Sequence, residues 1–372
     1  MFNRLRFKKV SLKFKKGGLK MDGKKFLRPV VSIGLVVILT IFMASWASAK
    51  SPKKIVWTFN QMALGKWTDN KIHGEWLPKR LAEATGGRLE LHAPINLVPL
   101  PEVLHAVRDG IIQGAFTGTP YYSGEWPLGS FHAIPGILKS DDEYPAVGNA
   151  VVWPYWEKSL RTKYNIALLG LTHWPGINLY CNKPIKTVDD FKGKKLRGMG
   201  YYDSLAFEVI GAAGISIPWD EAFLSVQRGV VDGLVTGLVV YDSMGFWEYA
   251  KFINKFPIHG SSCAAFIIVN GKTFDSLPDD LKPVVKKVFR EAAEKVTRGN
   301  ISLVDASLKS LIKRGVKVIQ PSDEEVQKCL QMAKSVRKTW LEQCKKAGSP
   351  EAQEMLDKIE AFLSEYRAKK GK

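Results

Sequence analysis

The sequence is poor in the residues from which catalytic and metal sites are most often built. Only four cysteines and six histidines occur in 372 residues. None of the cysteines has the spacing of a metal site, and no His-x-x-x-His pair stands near a carboxylate. A Gly-x-Ser-x-Gly elbow and a phosphate loop closing on Gly-Lys-Ser/Thr are both missing. The run Gly198–Asp203 begins like a dinucleotide-binding turn but lacks the third glycine of that pattern. No cofactor and no metal are therefore expected. Acidic residues are nearly absent from one stretch. Residues 1–49 carry eleven Lys/Arg against the single Asp22, more than half of the formal net charge of +19. The rest of the excess is spread thinly, with no basic patch interleaved with aromatics, which argues against nucleic acid as a partner.

That N-terminal stretch is ordered in composition. Lys24, Lys25 and Arg28 precede an uncharged apolar run from Val30 to Met43, followed by Ala47, Ser48 and Ala49. A positive region, an apolar core and a small-x-small site are the parts of an export signal, in the right order. The apolar run falls short of the about 20 residues that a comfortable membrane span needs. The expectation is a signal peptide over residues 1–49, with Met21 as an alternative start, cleaved to leave a periplasmic protein; a retained anchor is the other reading. In an oxidising compartment Cys181 and Cys263, each in a strand-like run, could form a disulfide. Cys329 and Cys344 lie too far apart along a helical stretch to do so, about 22 Å against a limit of about 7 Å. Four buried free thiols are the alternative.

Length and an apolar content of 45% are enough for two lobes, each with its own core. Past Ala49 the pattern alternates strand and helix, the signature of α/β sheets covered by helices. Short apolar runs such as Ile55–Phe59, Ala115–Thr117 and Ala264–Val269 read as strands, and Pro278–Leu311 as a long helix. An internal echo divides the chain. Glu102–Gly118 and Glu221–Gly237 share six of seventeen positions: Glu102/Glu221, Val107/Val226, Gly110/Gly229, Gly114/Gly233, Thr117/Thr236 and Gly118/Gly237. In each copy a helix stops at a glycine that can take positive φ, and a strand then runs to Thr-Gly. Two such strand ends suggest two lobes sharing a cleft, because open α/β sheets bind ligands beyond the carboxyl ends of their strands. The expected division places residues 50–175 and part of 238–262 in lobe I, and 176–237 with 263–322 in lobe II. Residues 323–372 form C-terminal helices packed on both.

A cleft for an anion needs a fixed cation, aromatic walls and a few aligned donors. Arg197 is the strongest cation candidate, after the strand entry Gly193-Lys194-Lys195-Leu196 and followed by the small residues Gly198 and Gly200, since arginine grips a carboxylate with two parallel hydrogen bonds. Trp219, after Pro218, and Trp174, before Pro175, are candidate walls. Thr236 ends one of the echoed strands, as Thr117 ends the other.

These residues resemble the substrate-binding proteins of TRAP transporters, of the DctP type. The resemblance covers most of the chain past the signal and is densest from Asn182 to Asn254. Asn182–Arg197 is similar to the family's approach to its carboxylate-binding arginine, and Gly211–Pro218, Glu221 and Gln227–Gly233 to the stretch that follows. The resemblance implies a two-lobed periplasmic receptor of type II-like α/β fold, its lobes bridged by strands and a long helix. It implies a small organic acid as ligand, membrane permease subunits as partners, and no catalysis. Arg197 would hold the carboxylate, with Trp219 as aromatic wall and Thr236 as polar contact. Trp174, Asn178, Tyr121, Asn60 and Tyr241 complete the candidate set, and the Tyr121–Pro127 region resembles the branch that binds monocarboxylates. Trp174–Asn178 occupies the place where many dicarboxylate members carry a second arginine. Leu234 and Val235 follow Gly233 where the oxo-acid branch carries a carboxylate and a tryptophan around a metal ion. One arginine among many aromatics points to a monocarboxylate. Two other classes remain open: a secreted enzyme of unrecognised type, and a membrane-anchored accessory protein that binds partners through its charged C-terminal helices.

Overall fold

The computed structural model describes residues 54–63 and 68–371, so the expected export signal lies outside the described residues. Among the described residues, eleven strands form two sheets. Strands β1 to β6 are Ile55–Asn60, Leu89–His92, Gly114–Gly118, Ile166–Trp174, Ile177–Cys181 and Lys195–Gly198. Strands β7 to β11 are Ala213–Ser216, Gly233–Gly237, Phe252–Asn254, Cys263–Asn270 and Lys317–Ile319. The first sheet has the order β2-β1-β3-β10-β4, and the second β11-β9-β5-β8-β6-β7. Strands β3, β4, β8 and β10 are buried at every residue, so they read as near-continuous apolar runs rather than alternating ones.

The division into lobes differs from the sequence expectation at two strands. β10 was expected in lobe II, yet it lies in the middle of the first sheet, antiparallel to both β3 and β4. β9 falls in a segment part of which was assigned to lobe I, but it pairs with β5 and β11 in the second sheet. The crossover back to lobe I occurs after β9. The apolar run Cys263–Asn270 needs neighbours on both edges and cover on both faces, and the first sheet supplies them.

The echo noticed in the sequence is a repeated structural unit. In lobe I the helix Val103–Arg108 (α1) ends at Gly110, φ +75°, and in lobe II the helix Trp219–Gln227 (here α3, after α2, Tyr201–Val209) ends at Gly229, φ +68°. The same bonds close both ends: Gly110 N donates to Val107 O at 3.1 Å, and Gly229 N to Val226 O at 3.1 Å. The next glycines permit close approach of backbones. A Cβ on Gly114 would stand 2.4 Å from Ile268 O, and one on Gly233 2.4 Å from Tyr180 O.

Helix Leu281–Lys313 (α4) has 33 residues, a length of about 50 Å. Val285, Val288, Phe289, Ala292 and Ala293 pack into the lobe I core, and Leu311 into the lobe II core. The helices Asp323–Met332 (α5), Lys334–Lys346 (α6) and Ala352–Lys369 (α7) follow. Cys329 of α5 joins the lobe II core, whereas Trp340, Leu356 and Ile359 pack on lobe I beside Trp126 and Phe131. Trp340 Nε1 donates to Pro127 O at 2.8 Å. Cys181, Cys263, Cys329 and Cys344 are all buried free thiols; Cys181 and Cys263 lie on strands of different sheets, unpaired. No helix among the described residues is long and apolar enough to cross a membrane.

Candidate functional site

The strand ends of the two sheets meet around a small cavity of about 20 Å³, room for roughly one water. Tyr121 and Trp174 from lobe I line it together with Ile177, Met199, Trp219, Thr236, Gly237 and Val240. Tyr121 and Met199 also line a wider groove of about 420 Å³ that runs between Leu100–Pro101 and Ile217–Pro218. The lobes touch directly here. Trp219 Nε1 donates to Ala63 O at 3.0 Å, and Tyr201 N donates to Ser123 Oγ at 3.0 Å.

Arg197 lies beside the cavity, 0% exposed. Its place at the end of β6 follows from parallel pairing with β7 and β8. Nε donates to Ile217 O at 3.0 Å and Nη1 to Val235 O at 3.2 Å. Nη2 itself has no hydrogen-bond partner, while the Tyr121 phenol stands within hydrogen-bonding reach of the guanidinium. The guanidinium carbon stands 6.0 Å from the centre of the Trp219 ring. Burial lowers the pKa of Arg197, while the neighbouring Tyr121 phenol and Asp203 carboxylate favour its charged form. A buried cation with an unsatisfied N–H beside aromatic walls can take an anion.

Asp203 was not singled out by the sequence. Its Oδ2 accepts from Met199 N at 2.9 Å and Gly200 N at 3.1 Å, fixing the turn that carries the chain away from Arg197. Its Oδ1 faces His259 Nε2 at 3.3 Å. The glycine-containing run Gly198–Asp203, dismissed as a nucleotide turn, is thus a capped helix start. Gly200 also lets the lobes close, since a Cβ there would stand 2.5 Å from Pro120 O.

Trp174 is anchored from behind. Its Nε1 donates to Asp69 Oδ1 at 3.3 Å, and Asn300 Nδ2 of α4 donates to Asp69 Oδ2 at 2.8 Å. Burial pushes the Asp69 carboxyl up to about 6, against the lowering effect of these two bonds.

The remaining candidates stand elsewhere. Asn178 donates to Gly176 O at 2.8 Å and lines a surface groove with Lys139 and Lys255, outside the Arg197 cavity. Tyr241 is a core residue, stacked on Tyr180 with ring centroids 3.8 Å apart and hydrogen-bonded to Ala250 O. Asn60 ends β1 and is fully buried. Its Oδ1 accepts from Val98 N at 2.9 Å, and its Nδ2 has no partner. Leu234 and Val235 are buried and apolar, so they offer no side-chain oxygen to a metal ion. Among the described residues, no group of three or more His, Cys, Asp or Glu could hold one.

The family model for bacterial extracellular solute-binding proteins, family 7 (DctP), matches residues 70–343. The chain belongs to this family. Family 7 proteins are solute-binding receptors of the extracellular or periplasmic space, and this one has their two-lobed α/β fold. A solute-binding protein of Sulfitobacter is 32% identical over 160 residues, 43% of this chain and 48% of the relative, so the chain spans about half the length of that protein. A monocarboxylate 2-oxoacid-binding periplasmic protein of Nostoc is 26% identical over 282 residues, 69% of this chain and 71% of the relative. Among solved structures, a TRAP periplasmic solute-binding protein of Haemophilus influenzae with bound L-gulonate superposes with a TM-score of 0.75 at 19% identity, covering 83% of this chain and all of that one.

Proposed function

We propose that this receptor captures a small organic acid bearing one carboxylate, through Arg197, and delivers it to the permease subunits of a TRAP-type transporter from the periplasm, after cleavage of the export signal. The observation that carries the reading is the buried Arg197, whose Nη2 is left without a partner beside a cavity walled by Tyr121, Trp174 and Trp219. In this mechanism the lobes part to admit the solute, because the cavity in the closed form has room for roughly one water. The carboxylate meets Nη2, with the Tyr121 phenol as a second donor and Thr236 on the opposite wall. Closure is driven only by tighter binding to the closed form. A dicarboxylate lacks a second buried cation among the residues lining this cavity. The Nostoc relative's monocarboxylate 2-oxoacid and the Haemophilus protein's gulonate are both acids of the proposed kind. No cofactor and no turnover enter the reading.

The test is native mass spectrometry of the purified protein for a copurifying acid, followed by calorimetry on stripped protein with matched mono- and dicarboxylates. A monocarboxylate that binds wild type and is lost from Arg197→Ala is the expected result. Equal binding by Arg197→Ala, or turnover of the bound acid, would overturn it.

A further inference from the structure

A second pocket lies on the other face of β4. Successive strand residues point to opposite faces, so Trp174 lines the cavity beside Arg197 while His173 lines a pocket of about 570 Å³ behind it. One face of α4 supplies the opposite wall, with Arg290, Glu294, Thr297 and Arg298 at helical spacing. Two polar side chains among its lining residues are almost completely buried, Tyr144 at 1% exposure and His173 at 0%. The Tyr144 hydroxyl has no hydrogen-bond partner, and of the two His173 ring nitrogens one faces the Asp141 backbone and the other has none. Their rings stand 5.7 Å apart. Nearly all buried polar groups are partnered, so two adjacent exceptions at one pocket call for a reason. Burial holds the His173 pKa down at about 4, which keeps the ring neutral, with one donor and one acceptor nitrogen. Arg290 is exposed and lies over the Trp153 ring at 4.9 Å. The π-helical turn Gly148–Val152 borders the pocket, and such turns are frequent at functional sites.

We propose that this pocket is a second ligand site, for a small hydroxylated organic anion whose hydroxyl engages Tyr144 and His173 and whose charge meets Arg290 against Trp153. The inner groups are neutral and can both donate and accept, which suits a hydroxyl. The cation is at the solvent side, where an anionic end need not be fully desolvated. Leu171 and Pro145 give the body of the ligand apolar surface. The site shares no lining residue with the Arg197 cavity.

Titration calorimetry with 4-hydroxybenzoate on the purified chain tests this. Binding is expected to weaken at least tenfold in Arg290→Ala and in Tyr144→Phe, and to persist in Arg197→Ala. Thr236→Val replaces that last variant as the cleft control if Arg197→Ala does not fold. Benzoate, lacking the hydroxyl, is expected to bind more weakly than 4-hydroxybenzoate to wild type and equally to Tyr144→Phe. Loss of binding in the cleft variant with retention in the other two would place the ligand in the cleft and overturn the proposal. No saturable binding, or binding indifferent to Arg290→Ala and Tyr144→Phe, would overturn it as well.

Discussion

The two copies of the repeated unit share one order of helix, positive-φ glycine and strand, and end in different chemistry. The pairing registers make this explicit: Asn60 pairs with Ala115 in lobe I, and Arg197 pairs with Leu234 in lobe II. Ala115 and Leu234 are equivalent positions of the echo, so Asn60 and Arg197 are equivalent too. Each reaches the same loop of its own lobe, which reads Val98-Pro99-Leu100 in one and Ile217-Pro218-Trp219 in the other. Asn60 accepts from Val98 N, and Arg197 donates to Ile217 O. Each also keeps one buried nitrogen without a partner. The difference lies in charge and reach. A short amide is neutral and ends within its own lobe, whereas a guanidinium brings a cation to the lobe interface. Thr117 and Thr236 diverge in the same way. Thr117 is within 3.0 Å of the Tyr122 hydroxyl inside lobe I, while Thr236 faces the shared cavity. The fold supplies two equivalent strand ends, and side chains give one of them a buried cation.

The largest expected effect separates the equivalent pair. Arg197→Ala should cost roughly 2–5 kcal/mol of acid binding, because it removes the charged partner of a desolvated carboxylate. Asn60→Ala, at the matching position, should change affinity by about 1 kcal/mol or less, the size of an ordinary neutral hydrogen bond. Calorimetry on both checks this, and equal losses would dissolve the asymmetry between the lobes.

Closure gives the next effect. Gly200→Ala puts a methyl 2.5 Å from Pro120 O and 3.0 Å from Ser123 Oγ of the opposite lobe. The glycine has extended backbone, φ −152°, so the substitution strains the interface and not the turn itself. Ligand affinity should fall at least tenfold with little change in the melting temperature of the unliganded protein, since a factor of ten is about 1.4 kcal/mol. Gly124, whose Cβ would meet nothing within 4 Å, is the neutral control. A similar loss in Gly124→Ala would remove the steric argument.

Trp219 and Leu100 sharpen the comparison further, as equivalent residues that both reach the opposite lobe, the first with a hydrogen bond and the second through apolar packing. Trp219→Phe deletes the bond to Ala63 O and should weaken binding several-fold, about 1 kcal/mol. Fluorescence-monitored titration would read it, and unchanged affinity would assign that bond no part in closure.

The last effect is pH-dependent and acts on stability, not on binding. The Asp69 carboxyl is raised from 3.8 to about 6 in the folded protein, chiefly by burial. The native state therefore holds this proton more tightly than the unfolded chain does. The stabilisation it brings is present below about pH 4 and lost as pH rises towards 6. Urea midpoints across that range should fall more steeply for wild type than for Asp69→Asn, and parallel curves would contradict the assignment.

The sequence made the repeat legible because its glycines are under backbone constraint. Gly110 and Gly229 must take positive φ, and Gly114 and Gly233 must admit a neighbouring backbone, so both sets persist in both copies. Arg197 was visible as a lone arginine at a strand entry followed by small residues. Tyr241 was not separable from a cleft residue by sequence, because an aromatic in an apolar run reads the same in a core as on a cavity wall. Asn178 failed for a related reason: position near a strand end does not tell which opening a side chain meets. β10 was assigned to the wrong sheet because its apolar run specifies burial and leaves its neighbours unnamed. Asp203 could have been found from its place as the third helical residue after Gly200, where a carboxylate caps the helix start. The paired orphans Tyr144 and His173 had no sequence signal, since they come from segments that meet only in the folded chain.

The four thiols make the fold its own chemical shield. Burial raises the pKa of every one of them, to about 12 for Cys329. Only the thiolate attacks an oxidant or an alkylating reagent, so the native protein offers almost no nucleophilic sulfur. A chain that has not yet folded offers four. In an oxidising compartment the time spent unfolded would therefore set the chance of a wrong disulfide. The same property makes the cysteines a built-in clock. Cys181 and Cys329 report from the lobe II core and Cys344 from the lobe I core, so the order in which a thiol reagent modifies them distinguishes the opening of one lobe from the collapse of both.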